Sequence, residues 1–270
     1  MLCPGNNPSF KRKDKMEDHI LKGAELIRNS EKILVFTGAG ISTESGIPDF
    51  RSPGGIWSKY NPSDFYLENI VSSETCRRKY WEMSIEYYRV MKSALPNQAH
   101  LAVKRIEDAG RLSAIVTQNI DRLHHRAGNS PEKIIEIHGT AFLVSCLSCG
   151  KIYERDEIEE RINKGERLPI CDKCSGILKP ATISFGQAMP EEAMNRSIIH
   201  ATQCDLCIVL GSSLVVYPAA SIPEYAVDSG AHLIIINRDK TRLDHKADVV
   251  IHDSISKIMQ TMVDKGLLTN

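Results

Sequence analysis

Four cysteines in two tight pairs are the first residues whose types and spacing imply chemistry. Cys146-x-x-Cys149 and Cys171-x-x-Cys174 are separated by 21 residues, and each pair runs into a glycine, Gly150 and Gly176. Two such knuckles bring four thiolates to the corners of a tetrahedron, the sulfur coordination that suits Zn2+. The separation slightly exceeds the usual range of about 15–20 residues, and a short helix over Arg155 to Lys164 takes up the difference. With four cysteines and no histidine ligand, the spacing predicts a closed structural site rather than a catalytic one. Two disulfides or a redox pair would use the same residues, and an intracellular, reducing setting argues against both. A third pair, Cys204 and Cys207, stands at the entrance to an apolar strand, where i and i+3 point to opposite faces. It is read as two buried free thiols. Cys3 and Cys76 have no evident partners.

The second set is Gly38-Ala39-Gly40, which follows the apolar run Ile33 to Phe36 directly. A buried strand feeding a glycine turn is how a nucleotide-binding α/β unit begins. A tight strand-to-helix turn explains a lone G-x-G equally well. The third glycine of the dinucleotide fingerprint is replaced by Thr43, and no acidic residue closes a second strand to hold an adenosine ribose. The pattern therefore departs from that of a dehydrogenase. His138 ends a strand and precedes a glycine, at the carboxyl edge where α/β sheets bind ligands. His124, His125 and His100 are read as structural or surface residues.

These residues need a scaffold. Apolar runs rich in Ile and Val recur at 33–36, 114–116, 134–137, 206–210, 233–236 and 249–251. Such runs read as parallel strands buried on both faces, with helical patterns between several of them. A helix is expected over Asp14 to Asn29, from Met16, Ile20, Ala24 and Ile27. Asn97 and Gly110 look like the cap and C′ residues of another. Pro190 and Pro218 are read as opening two more. Residues 57–96, helix-like and aromatic, and 140–187, which hold the four cysteines, break this alternation. The fold class expected is α/β: a Rossmann-like doubly wound parallel sheet, with a smaller inserted zinc-ribbon/helical domain. Residues 1–56, 97–139 and 188–270 would form the first, and 57–96 and 140–187 the second.

The bulk numbers exclude several classes. Hydrophobic residues at 42% and charged residues at 25% place the chain among soluble globular proteins. Lys+Arg and Asp+Glu are both 34, so no global basic field exists to hold nucleic acid directly. No apolar run approaches the roughly 18 residues that span a bilayer, and the N-terminus lacks the apolar segment of a secretory signal. Residues 1–13 are read as a loose tail. A cytoplasmic monomer is expected, with no membrane partner.

The strings GAGISTESGIPDFRS at 38–52, TQNID at 117–121, HG at 138–139, FG at 185–186, GSSL at 211–214 and IIIN at 234–237 occur in this order, with the cysteine pairs between the third and fourth. From about residue 14 onward this ordered set resembles the sirtuin family. The resemblance implies an NAD-dependent protein lysine deacylase, which consumes NAD, releases nicotinamide and moves the acyl group to ADP-ribose. It implies that Gly38, Ala39, Gly40, Thr43, Asp49, Phe50 and Arg51 line the NAD loop. Gln118, Asn119, Ile120 and Asp121 would meet the nicotinamide end and its ribose. Gly211, Ser212 and Ser213 would meet phosphate or ribose, and Asn237, Arg238 and Asp253 the adenosine end. His138 would be the general base, with Asn119 beside it as a catalytic residue. Ile183, Phe185 and Gly186 on one side, with Leu214 and Val215 on the other, would clamp an extended acyl-lysine peptide as a strand. The cofactor set implied is NAD, as a consumed co-substrate, and one structural Zn2+.

The family chemistry suits these residue types. The acyl oxygen attacks C1′ of the nicotinamide ribose as the C–N bond breaks, which demands positioning and a dry pocket. Asp121 and the backbone near Ile120 would hold the carboxamide, and Phe50 would cover the reactive face. A ribose hydroxyl then needs a base that titrates near neutrality, which histidine supplies.

Three departures from the pattern stand out. Gln187 replaces a Glu after Phe-Gly, and Lys179 replaces an Arg before Pro, both expected near the peptide groove. Relatives that remove succinyl or malonyl groups carry a Tyr and an Arg where this chain has Ser84 and Tyr87, so neutral acyl groups are expected here. An ADP-ribosyltransferase would share every NAD residue, but His138 and the peptide edges favour deacylation. A non-catalytic zinc-ribbon module would have lost His138 or Asn119.

Overall fold

Strand pairing accounts for every apolar run. The structure, a computed structural model, describes residues 8–267. Helix α1 (Pro8–Asn29) leads into β1 (Ile33–Thr37) and a 3-10 turn, Ala39–Ser45. The first insertion holds short 3-10 turns (Ile56–Ser58, Pro62–Phe65), α2 (Leu67–Ser72) and α3 (Glu74–Ser93). Then follow α4 (Gln98–Asp108), β2 (Leu112–Thr117), α5 (Leu123–Arg126) and β3 (Ile134–Glu136). The second insertion carries β4 (Gly139–Cys146), β5 (Ile152–Glu154), α6 (Arg155–Asn163) and β6 (Leu178–Thr182). The chain closes with α7 (Glu191–Gln203), β7 (Leu206–Leu210), α8 (Ile222–Asp228), β8 (His232–Ile236), β9 (Val249–Ile251) and α9 (Ile255–Leu267).

The main sheet has six strands in the order β3-β2-β1-β7-β8-β9, and all its pairs are parallel. Alternate residues supply two separate cores. Ile33, Val35, Ile115, Ile208 and Ile234 pack with α1, α4 and α9 on one face. Leu34, Phe36, Val116, Val209 and Ile235 pack with α7 and α8 on the other. A period of two with both faces apolar explains why these strands read as unbroken apolar runs.

Asn97 caps α4 by accepting the Ala99 N–H at 3.0 Å, and Gly110 follows at φ 74°, the left-handed turn that releases the chain into β2. Two sequence expectations need correction. Helix α1 starts at Pro8, so residues 8–13 are helical rather than a loose tail. Proline is preorganised for a first helical turn, and this lysine- and arginine-rich stretch favours helix without needing an apolar stripe. The expectations for residues 1–7 and for Cys3 lie outside the described residues. Pro218 starts a 3-10 turn, Ala219–Ser221, and α8 follows with its own proline in the first turn.

The second sheet is antiparallel, β5-β4-β6. Trp81 of α3 packs with Val144, Tyr153, Ile158 and Leu178 in its core. Beneath Trp81 the guanidinium of Arg155 is fully buried, paired with Glu159 at 2.6 Å and donating to Ser84 Oγ at 2.7 Å. It stacks between the Trp81 and Tyr88 rings, 5.0 and 4.8 Å from their centroids. One desolvated cation thus adds to the apolar packing that joins the two insertions.

Candidate functional site

In an open parallel sheet a ligand binds where strand order reverses, outside the carboxyl ends. Here that point lies between β1 and β7. Their loops touch backbone to backbone: the Gly40 N–H donates to Gly211 O at 2.9 Å, and Gly38 N–H to Leu210 O at 3.0 Å. A Cβ on Gly40 would lie 2.7 Å from Gly211 Cα, and one on Gly211, at φ +65°, would lie 2.3 Å from Ile41 N. The first G-x-G and the glycine of GSSL are therefore one structural feature. Glycine is required on both sides of the contact.

The loop after β2 enters the same crevice. Gln118 Nε2 donates to Ser212 Oγ at 2.8 Å. Asn119 Nδ2 donates to Gly38 O at 3.1 Å and to Ser42 Oγ at 3.2 Å. Ser42 Oγ donates in turn to Asp121 Oδ2 at 2.7 Å, while Asp121 Oδ1 accepts the Leu123 N–H at 2.8 Å. Burial pushes the Asp121 carboxyl above its usual range despite these two donors. The Ile120 carbonyl accepts the Ala141 N–H at 3.0 Å, which fixes this loop to β4. Sequence reasoning missed Ser42, although it lies inside the quoted glycine string.

His138 follows β3 and reaches the loop from its other side. Its Nδ1 lies 3.0 Å from Gln118 O. A carbonyl only accepts, so Nδ1 carries the hydrogen and Nε2 keeps its lone pair. Burial lowers the imidazole below its ordinary 6.5, and the Gln118 carbonyl opposes this. Two residues earlier, burial pushes the Glu136 carboxyl up to about 7.

The remaining expected residues lie in the loops after β1, β7, β8 and β9. Thr43 Oγ1 donates to Gly40 O at 3.0 Å. Asp49 organises its own loop, accepting from Arg51 N at 2.9 Å, Ser52 N at 2.7 Å and Ser52 Oγ at 2.6 Å. Burial alone would raise its carboxyl, but these donors hold it below the usual range. Arg51 is exposed, Phe50 and Ser213 half-buried. Asn237 is buried and donates from Nδ2 to Asp239 O at 2.7 Å. Arg238 and Asp253 beside it are exposed.

At the lobe boundary the Ile183 N–H donates to His138 O at 2.9 Å, and Leu67 N–H to Phe185 O at 2.9 Å. Phe185 and Gly186 are exposed. Opposite, Leu214 is buried with φ 55°, and Val215 is exposed. Gln187 Oε1 accepts the Ser184 N–H at 3.1 Å, closing the turn around Phe185. Lys179 lies buried, its ammonium donating to the Pro180 and Thr182 carbonyls.

The four cysteine sulfurs of the two knuckles lie within 4.8 Å of one another, with 3.5 Å between Cys146 and Cys174 and 3.6 Å between Cys149 and Cys171. A tetrahedron with Zn–S bonds of about 2.3 Å has edges of about 3.8 Å, so the cluster fits a structural zinc ion. Tyr153 Oη donates to Cys171 Sγ at 3.1 Å, an outer-shell contact of the kind that orients thiolate ligands. Cys204 and Cys207 stay apart from it, as expected, but the reason differs. Cys204 caps α7 rather than lying in β7, and both thiols sit in the same apolar core. Burial pushes the Cys204 thiol up to about 12.

With this geometry in view, the comparisons agree. Residues 38–218 match the Sir2 family. A Rhodopseudomonas palustris NAD-dependent protein deacetylase is 42% identical over 88% of this chain and 94% of its own. An Archaeoglobus fulgidus NAD-dependent protein deacylase 2 is 42% identical over 93% and 97%. A solved structure described as Sir2 with a p53 peptide and NAD+ superposes with a TM-score of 0.83 at 34% identity, covering 91% of this chain and 97% of its own. The chain belongs to the Sir2 family, the sirtuins, NAD-dependent enzymes with a Rossmann-like fold.

Proposed function

We propose that this protein is an NAD-dependent protein lysine deacylase in which His138 is the general base. The observation that carries the assignment is the convergence of the glycine loops, the Gln118–Asp121 segment and a His138 with a free Nε2 at one switch point. NAD would enter as a consumed co-substrate, its phosphates over Gly38–Gly40 and Ser212–Ser213 and its adenosine toward Asn237, Arg238 and Asp253. Ala39, Thr43, Phe50 and Arg51 would line its loop, with Asp49 shaping that loop from within. Asn119, Ile120 and Asp121 would hold the nicotinamide end. The acyl oxygen displaces nicotinamide from C1′. Nε2 of His138 then takes the proton of the ribose hydroxyl that attacks the acyl carbon, lysine leaves as the protonated amine, and water adds to the acyloxonium left on the ribose to give acyl-ADP-ribose. In this reading residues 1–56, 97–139 and 188–270 form the NAD-binding domain, and 57–96 with 140–187 the smaller lobe, held by one structural zinc.

The substrate is an acyl-lysine peptide laid between Ile183–Gly186 and Leu214–Val215. Solved relatives bound to p53 and propionylated peptides support that class. Neutral acyl groups are favoured, because Ser84 engages Arg155 and Tyr87 lies beside Tyr60, and neither offers a cation to a dicarboxylic chain. The buried thiols and the tetrathiolate suit the cytoplasm, and among the described residues no helix is long and apolar enough to cross a membrane. The test is deacetylation of an acetyl-lysine peptide with NAD, comparing wild type with His138→Ala. The variant should fold and be slower by about 10²–10⁴-fold. A variant that keeps the wild-type rate removes His138 from the mechanism.

A further inference from the structure

Trp57 stands in the short 3-10 turn between the NAD loop and the smaller lobe. Its ring lies 5.4 Å from that of Phe50 and 6.1 Å from that of Phe185, centroid to centroid. Its rear face stacks on Phe65 at 5.9 Å and 24°. Phe65 is buried and backed by Tyr80 at 6.0 Å, so the indole rests on a fixed wall and packs against Phe50 and Phe185 from there. The backbone repeats the connection. Trp57 N–H donates to Phe50 O at 3.0 Å, and Ile56 N–H to Asp49 O at 2.9 Å. On the far side, Tyr66 lies 5.6 Å from Phe185 and forms a bridge with it.

Phe50 is the proposed cover over the reactive face of NAD, and Phe185 is an exposed edge of the proposed peptide groove. A single half-buried indole therefore touches both substrate positions. We infer that Trp57 is a positioning residue that couples the two: acyl-peptide packed on Phe185 fixes the indole, the indole fixes Phe50, and NAD binds more tightly beneath it. By linkage, NAD tightens the peptide by the same factor. The inference rests on the deacylase reading and adds the residue through which its two substrates communicate.

The test is calorimetry with a carbocyclic NAD analogue that cannot lose nicotinamide, titrated with and without an acetyl-lysine peptide. Wild type, Trp57→Ala and Trp57→Phe are compared as full chains. The quantity read is the ratio of the two dissociation constants, which a general loosening of the lobe does not change selectively. In wild type the peptide should tighten the analogue by about fivefold or more. The ratio should fall to about one in Trp57→Ala and be largely retained in Trp57→Phe, which keeps an aromatic face. Equal ratios in wild type and Trp57→Ala, or a wild-type ratio of one, overturn the coupling while leaving the deacylase reading intact. A wild type that binds neither ligand overturns that reading first, and the coupling with it.

Discussion

His100 and His124 meet behind the glycine loop, ring centroids 5.0 Å apart. His124 Nε2 lies 3.3 Å from Thr37 Oγ1, which donates to Thr117 Oγ1 at 2.8 Å, and Thr117 Oγ1 accepts the Asn119 N–H at 3.0 Å. The pair thus backs the segment that enters the crevice. Burial lowers His100 to about 4 and lowers His124 as well. Between 6.5 and about 4 the unfolded chain binds the proton that folded His100 refuses, so stability falls as pH falls through that window and is fully present above it. Between about pH 7.5 and about pH 5, wild type should lose about 2 kcal/mol more than His100→Gln in urea unfolding. Equal losses would show that His100 is protonated in the folded state. In the sequence both histidines read as structural or surface residues. Their contact is not legible there, because it joins α4 to α5 through tertiary packing alone. The same limit applies to Cys204, whose place outside β7 the apolar run conceals.

Element α6 shows a second limit. Its sequence, RDEIEERIN, reads as a solvated helix, yet its first residue is the most deeply buried cation in the molecule's smaller lobe. Removing a buried partner leaves the other charge unpaired and desolvated. Arg155→Ala should therefore cost about 3–5 kcal/mol in urea unfolding, and a loss below about 1 kcal/mol would contradict the buried-pair account. The six strands of the main sheet are legible because both faces are apolar. Those of the second sheet are not. β5 has three residues, and β6 is the edge strand Leu178–Thr182, carrying Pro180 and the buried Lys179. Proline is tolerated on an edge, and a lysine that solvates carbonyls does not look apolar. The cysteine spacing located this module where strand patterning did not.

At the scale of the whole molecule, one topological feature organises the rest. Strand order reverses between β1 and β7, the two glycine loops close on each other there, and His138 arrives from β3 at the edge of the smaller lobe. The ordered motifs made this arrangement legible, since each marks the carboxyl end of a strand or the loop after it. The hydrogen bonds that bind them together, such as Gln118 to Ser212 and Ser42 to Asp121, required the fold. In the proposed reaction, acyl transfer to ADP-ribose occurs in this crevice. Its most direct test is to quantify by mass spectrometry the products formed from NAD and an acetyl-lysine peptide. Equal amounts of nicotinamide, deacetylated peptide and acetyl-ADP-ribose are predicted. Nicotinamide released with free ADP-ribose, or with ADP-ribose attached to protein, and with the peptide still acetylated, would contradict it.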